Sequence, residues 1–302
     1  MKYAVPFIFF FLFVTEFSFT LSAQEPKPSG LFKSHILTPS GLFTSGIEGP
    51  AVDKSGIIYA VNFSHQGTIG CVNPEGTAGL FVELPKGSIG NGIRFDSRGN
   101  MLVADYTGHN ILKIDMATRE ISVFAHHSEM TQPNDIAIVS KDRIYASDPD
   151  FKKNKGRIWR IENNKVVLLD SLKGATNGID ISPDDKILYV NASPKVWAYD
   201  LTVQGDLKNK RLLIEFPDFV MDGMRCDVNG NLYIARFGKG TVVKVSPAGK
   251  VLEEVQLSGK RPTNVAFGGV DGCTVYVTLQ DKGNIEFFRV DEPGREWKMQ
   301  MK

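Results

Sequence analysis

Met221-Asp222-Gly223-Met224 places a carboxylate immediately before a glycine, at the mouth of an apolar run. The same register recurs on both sides of it. Asn177-Gly178-Ile179 lies 45 residues earlier, and Asn134-Asp135-Ile136, Asn91-Gly92-Ile93 and Glu48-Gly49-Pro50 come at further steps of 43. Asn264-Val265 follows 42 residues later. Glu48, Asn91, Asn134, Asn177, Asp222 and Asn264 thus open six copies of one unit, each with an oxygen-bearing side chain. A period of 42–45 residues is that of a four-stranded propeller blade.

Each unit repeats one internal grammar, seen best in the fifth. A short apolar strand over 223–226 runs into Asp227-Val228-Asn229-Gly230-Asn231, a turn rich in Asp, Asn and Gly. A second strand over 232–235, a loop at 237–240, an alternating third strand over 241–245, a Pro-Ala-Gly turn and a more polar strand over 251–257 complete it. Four strands on hairpin connections predict one antiparallel blade. The second strand carries a tyrosine in five units, Tyr59, Tyr145, Tyr189, Tyr233 and Tyr276, with Leu102 in the remaining one. An aromatic at a fixed offset reads as packing between blades. The expected fold is all-β, a six-bladed propeller of four-stranded antiparallel blades, as a single domain over residues 24–302.

No stretch shows sustained helical periodicity. The sixth unit lacks one good strand, and the segment over 31–37 is expected to supply it, so that both chain ends share one blade and few edges stay open. The alternating tail Trp297-Lys298-Met299-Gln300-Met301 is the competing choice.

Residues 1–23 are a different kind of sequence. Lys2 precedes an apolar run rich in Phe, and Leu21-Ser22-Ala23 ends it, which reads as a secretory signal peptide. An exported protein, periplasmic or secreted and free of the membrane after cleavage, is the expectation. Glu16 interrupts the run, against a membrane span. The net charge of +1 gives no sign of a nucleic-acid partner. Cys71, Cys226 and Cys273 are odd in number and without metal spacing, so this is not a disulfide scaffold. A monomer is expected.

Strands in a blade alternate in direction, so the six opening residues should ring the channel on one face. The loops between second and third strands return to that face and bring His65, Tyr106, Asp148 and Arg236 around it. Two carboxylates and several amide oxygens converging on an axis suit a hard cation with six to eight oxygen ligands, calcium foremost. Glu48 and Asp222 would balance its charge, with Asn134 and Asn177 adding neutral oxygens. The absence of His and Cys from the set argues against zinc. The competing reading is that Asn-Gly and Asp-Gly only make tight turns, and it weighs most on Asn91 and Asn264.

The chain resembles the calcium-dependent propellers of the senescence marker protein (regucalcin), gluconolactonase and luciferin-regenerating family. The resemblance is carried by Glu48-Gly49-Pro50, Pro133-Asn134-Asp135, Asn177-Gly178-Ile179-Asp180 with Leu188-Tyr189-Val190, Asp222-Gly223-Met224, and Phe267-Gly268-Gly269 with Val275-Tyr276-Val277-Thr278. It covers essentially residues 31–290. It implies metal ligands at Glu48, Asn134, Asn177 and Asp222, and a further role for Asp222 as general base. Two positions depart from the pattern. Gln132 stands where animal members carry a sugar-contacting arginine, which weakens the implication of an aldonolactone substrate. Arg225 stands where related fluorophosphate hydrolases carry an acid for a second calcium, so no second ion is expected.

The resemblance implies a lactonase. A lactone carbonyl would be polarised by the metal, and water attack would be assisted by Asp222. His65, Tyr106, Gln132, Asp148 and Arg236 are the candidates to line the substrate. The alternatives are phosphotriester or aryl-ester hydrolysis on the same site, and a binding propeller without activity.

Overall fold

The computed structural model of the chain describes residues 30–301, together with Met1. Apart from Met1, the expected leader lies outside the described residues.

The short strand β1 (His35–Ile36) comes first in the chain but belongs to the last blade. Blade one is β2 (Phe43–Val52), β3 (Ile58–Phe63), β4 (Thr68–Val72) and β5 (Ala78–Glu83). Blade two is β6 (Gly90–Phe95), β7 (Met101–Asp105), β8 (Asn110–Ile114) and β9 (Ile121–His126). Blade three is β10 (Ile136–Ile138), β11 (Ile144–Asp150), β12 (Lys155–Glu162) and β13 (Lys165–Lys173). Blade four is β14 (Thr176–Ile181), β15 (Ile187–Ala192), β16 (Lys195–Leu201) and β17 (Leu207–Glu215). Blade five is β18 (Val220–Cys226), β19 (Leu232–Phe237), β20 (Thr241–Val245) and β21 (Val251–Gln256). Blade six is β22 (Pro262–Gly268), β23 (Thr274–Leu279) and β24 (Asn284–Arg289), with β1 paired outside β24. All six sheets are antiparallel, and the molecule is a six-bladed propeller.

The N-terminal segment closes the ring as expected. His35 and Ile36 pair with Phe287 and Glu286, and Leu31 bridges Arg289. The tail does not compete for that edge, because Arg295–Gln300 forms a helix, α1. Alternation over five residues is too short to separate a strand from one and a half helical turns, and here the polar groups of the channel decide. Arg295 is buried and donates from Nε to the carbonyl of Ser182 and from Nη2 to that of Ile138. The helix thereby caps the channel on the face where first strands end.

Polarity follows radius. Every residue of β22 is buried, whereas β17 exposes Lys208, Asn209, Lys210 and Arg211 on the perimeter. The first hairpin turn of several blades is held by one device. Asp53, Asp96 and Asp227 each accept through Oδ1 from the amides two and four residues on, at 2.8–3.0 Å. The repeated tyrosines pack between blades. Tyr59 meets Phe95 of blade two edge-on at 5.8 Å, and Tyr233 meets Phe267 of blade six at 5.0 Å. All three cysteines are free. Among the described residues no helix is long and apolar enough to cross a membrane.

Candidate functional site

The Asn-Gly and Asp-Gly pairs are not turns. Asn91-Gly92, Asn177-Gly178 and Asp222-Gly223 each fall where the ladder between first and second strands slips register. A bulge there re-aims the side chain off the sheet and into the channel. The glycine that follows answers a second demand, close approach of the next blade. A Cβ on Gly223 would lie 1.9 Å from Cγ of Asn264, and one on Gly49 would lie 1.8 Å from the carbonyl oxygen of Asn91. Gly49 also has a positive φ of 55°. Gly92 and Gly178 face blades three and five in the same way.

Glu48, Asn91, Asn134, Asn177 and Asp222 line one open cavity of about 700 Å³ on the face where the first strands begin. Asn264 does not line it. Its amide nitrogen donates to Glu48 Oε2 at 3.0 Å, and its oxygen accepts from Arg225 Nη1 at 3.1 Å. With Asn264 and the Gly49 amide on Oε2, Glu48 is left with Oε1 buried and unpartnered. Asn177 Oδ1 is likewise buried without a donor.

Burial, and then the Asp135 carboxylate, push the Glu48 carboxyl up to about 7. Burial, and then the neighbouring Glu48, raise Asp222 well above the ordinary carboxylate range, with the nearby Asn177 side chain acting in the opposite direction. Two carboxylates that discourage each other's charge, beside two orphaned oxygens, form a site that a cation relieves on every count. The all-oxygen donor set fits a hard divalent cation such as calcium. Among the described residues no three His, Cys, Asp or Glu side chains gather as a metal cluster. The set here is instead two carboxylates and two amides.

Of the five expected substrate-lining residues, only Tyr106 lies in the cavity wall. Gln132 lies outside the lining, and its backbone N–H donates to Asp148 Oδ1 at 2.6 Å. Asp148 is a loop anchor, buried to 1% exposure. Its carboxylate accepts from the amides of Thr131 and Gln132 and from Trp159 Nε1. Arg236 is equally buried, tied to Asp218 at 2.8 Å and stacked 3.9 Å from the Phe216 ring centroid. His65 is exposed beside Glu83, outside the cavity. Position in the right loop does not decide direction along it. Asp148 and Arg236 turn back into their blades, where buried charge finds partners.

A second layer of the channel went unread in the sequence. Arg94, Asp180 and Arg225 each stand three residues after the opening residue of their strand, and all are buried. Asp135 binds both arginines, Arg94 at 3.1 Å and Arg225 at 3.0 Å. Below them Glu296 of α1 pairs with Nε of Arg94, and lies 3.6 Å from Nε of Arg225. A continuous polar path therefore runs from Glu296 through the arginines, Asp135 and Asn264 to Glu48. The regular three-residue offset of charges in apolar strands was the available signal. Arg225 fills its position with a cation paired to Asp135.

Comparison with known proteins agrees with this architecture. Residues 46–281 match the family described as SMP-30/Gluconolactonase/LRE-like region. A gluconolactonase of Zymomonas mobilis is 24% identical over 284 residues, covering 80% of this chain and 79% of that protein. A regucalcin of Danio rerio is 30% identical over 225 residues, covering 70% of this chain and 68% of its own. The crystal structure of a calcium-binding protein, regucalcin, from Agrobacterium tumefaciens superimposes with a TM-score of 0.76 at 20% identity. That match covers 88% of this chain and 97% of the other.

Proposed function

The chain belongs to the SMP-30/gluconolactonase/LRE-like family, and from that premise we propose that it is a calcium-dependent hydrolase that opens a small lactone. The observation that carries the reading is the pair of buried, unpartnered oxygens, Glu48 Oε1 and Asn177 Oδ1, beside Asp222 in the cavity. The named gluconolactonase of Zymomonas mobilis supports the reaction class, and the calcium-binding regucalcin from Agrobacterium tumefaciens supports the metal.

Glu48, Asn134, Asn177 and Asp222 would hold the cation. Bound there, it supplies Lewis acidity toward a carbonyl oxygen. The chain supplies the rest. Asn264 and the Gly49 amide fix one Glu48 oxygen and leave the other toward the cavity. The Asp222 carboxylate receives a proton as the oxygen of water bonds to the lactone carbonyl carbon. The ring C–O bond then breaks, and that proton passes to the departing ring oxygen. The product is an open-chain hydroxy acid, and its carboxyl proton goes to solvent. We further place the enzyme outside the cytoplasm, on the leader read at residues 1–23.

The test is initial rate on a panel of γ- and δ-lactones with calcium and with a chelator. Calcium-dependent ring opening is expected, with loss on chelation. Turnover of aryl phosphotriesters but of no lactone would reject the substrate class. Calcium binding without turnover of any compound would reject the enzyme.

A further inference from the structure

The cavity has two chemistries. Near the axis it is polar, with Glu48, Asn134, Asn177 and Asp222. Toward its mouth lie Tyr106, Phe151, Val220 and Phe237. Phe151 and Val220 are 49% and 48% exposed, and Phe219, next to Val220, is 53% exposed. Phe219 packs over the end of the neighbouring strand of its own blade, since a Cβ on Gly238 would meet its ring at 3.1 Å. Large apolar side chains are thus left half in water at the mouth, among polar lining residues that include Gln66, Asn154 and Ser193. Such clustering marks a binding surface. The rim is concave and runs inward, because Phe151, Val220 and Phe237 all line the cavity itself, which favours a small molecule over a protein partner.

Charge narrows the choice further. Among the described residues no lysine, arginine or histidine lines the cavity; its ionisable groups are Glu48, Asp222 and the phenol of Tyr106. The nearby cations are turned away from it or engaged. Lys153 pairs with Asp150 at 3.2 Å, and the exposed Arg261 lies 5.8 Å from the Phe237 ring centroid without joining the lining. A phosphorylated, sulfonated or carboxylated lactone would find no counter-charge in the wall. A bare sugar lactone would leave the apolar rim unused, in a cavity large enough for a drug-sized ligand.

We infer that the substrate is an uncharged lactone bearing an apolar substituent, alkyl or aryl. The substituent lies against Phe151, Val220 and Phe237 while the ring carbonyl reaches the Glu48–Asp222 end. This inference rests on the lactone-hydrolase reading and specifies its substrate class.

The experiment compares kcat/KM for γ-lactones whose alkyl chain grows from methyl to hexyl, with glucono-δ-lactone and an anionic lactone alongside. A methylene seated in an apolar pocket discriminates by about tenfold or more, so the hexyl compound should exceed the methyl one by about 10²-fold or more. Phe151→Ala, on an exposed turn, and Phe237→Ala should each lower the hexyl-to-methyl ratio by about tenfold, with folding checked by circular dichroism. A flat chain-length series overturns the inference, as does a preference for glucono-δ-lactone or for the anionic lactone. In those cases lactone hydrolysis itself stands. No turnover of any lactone overturns the functional reading and this inference together. A rim that binds a protein instead would show an unchanged ratio in both alanine variants, which also overturns it.

Discussion

Glu296→Gln tests whether the helix at the base of the channel is part of the fold's core. Arg94 and Arg225 are 2% and 1% exposed, and three carboxylates set their electrostatics: Asp135 between them, Asp180 near both, and Glu296 beneath. Removing the Glu296 charge leaves two buried guanidiniums in a layer that has lost one of its anions. Taking one partner from a buried ion pair costs about 3–5 kcal/mol. Glu296 keeps 19% exposure and each arginine keeps Asp135, so the lower end, about 3 kcal/mol, applies. For a chain of this length each kcal/mol moves Tm by roughly 2 °C, and the expected drop is about 6 °C. The assay is thermal unfolding by circular dichroism at saturating calcium, with the exposed Glu75→Gln as a control expected to stay within about 0.5 kcal/mol of wild type. A Glu296→Gln melting point within 1 °C of wild type would refute the claim that the channel charges are coupled to the helix.

Under the proposed mechanism Asp222→Asn keeps an oxygen for the metal but removes the proton acceptor, so its rate at saturating calcium should fall by about 10²–10⁴-fold; recovery of the wild-type rate would show that Asp222 is only a ligand. Glu48→Gln should weaken calcium binding, read by titration calorimetry, and an unchanged affinity would remove Glu48 from the site. Without metal, Glu48 binds its proton up to about 7 when folded but only to about 4.5 when unfolded. Folded chains therefore hold more protons between those values, and stability falls as pH rises through them, by of order 3 kcal/mol. Melting in chelator should be lower at pH 8 than at pH 5, and calcium at pH 8 should restore it; a chelated melting point that rises with pH would contradict the sign. Gly223→Ala puts a Cβ 1.9 Å from Asn264, so it should cost both stability and calcium affinity. Wild-type melting and affinity in that variant would show that the blades separate there freely.

The fold was legible because a propeller writes its period into the chain. The strands expected over 232–235 and 241–245 are within β19 and β20, and the segment over 31–37 contains the strand that closes the ring. The gathering of Glu48, Asn134, Asn177 and Asp222 in one cavity was legible for the same reason, since equal register in successive blades means equal height in the channel. What failed was the direction of side chains at the ends of the second strands, where residues expected in loops continue β11 and β19. Asp148 and Arg236 carry the charges expected of a substrate wall, but each is 1% exposed and spent on Trp159 or Asp218. Phe151 and Phe237, apolar and unremarked in the sequence, form the wall instead. Helix α1 was missed because six residues give too little pattern, and because its reason for forming lies 71 residues away, at Arg225.

The glycine after each opening residue joins fold to site more closely than turn chemistry does. Were Asn-Gly a turn signal, its glycine would need only a left-handed backbone. Gly92, Gly178 and Gly223 are not among the glycines with positive φ, yet each would drive a Cβ within 1.9–2.6 Å of the next blade. The demand is therefore radial. Six first strands must converge until side chains from neighbouring blades touch, and only then does Asn264 reach Glu48. In blade three the place of that glycine is taken by Asp135, and there the channel gains the carboxylate that anchors both arginines. A break in the repeat thus supplies the carboxylate that both arginines share. By the same logic, Asp135→Gly would match the glycine of four other blades but take from Arg94 and Arg225 the carboxylate they share, so its melting point should fall below that of wild type.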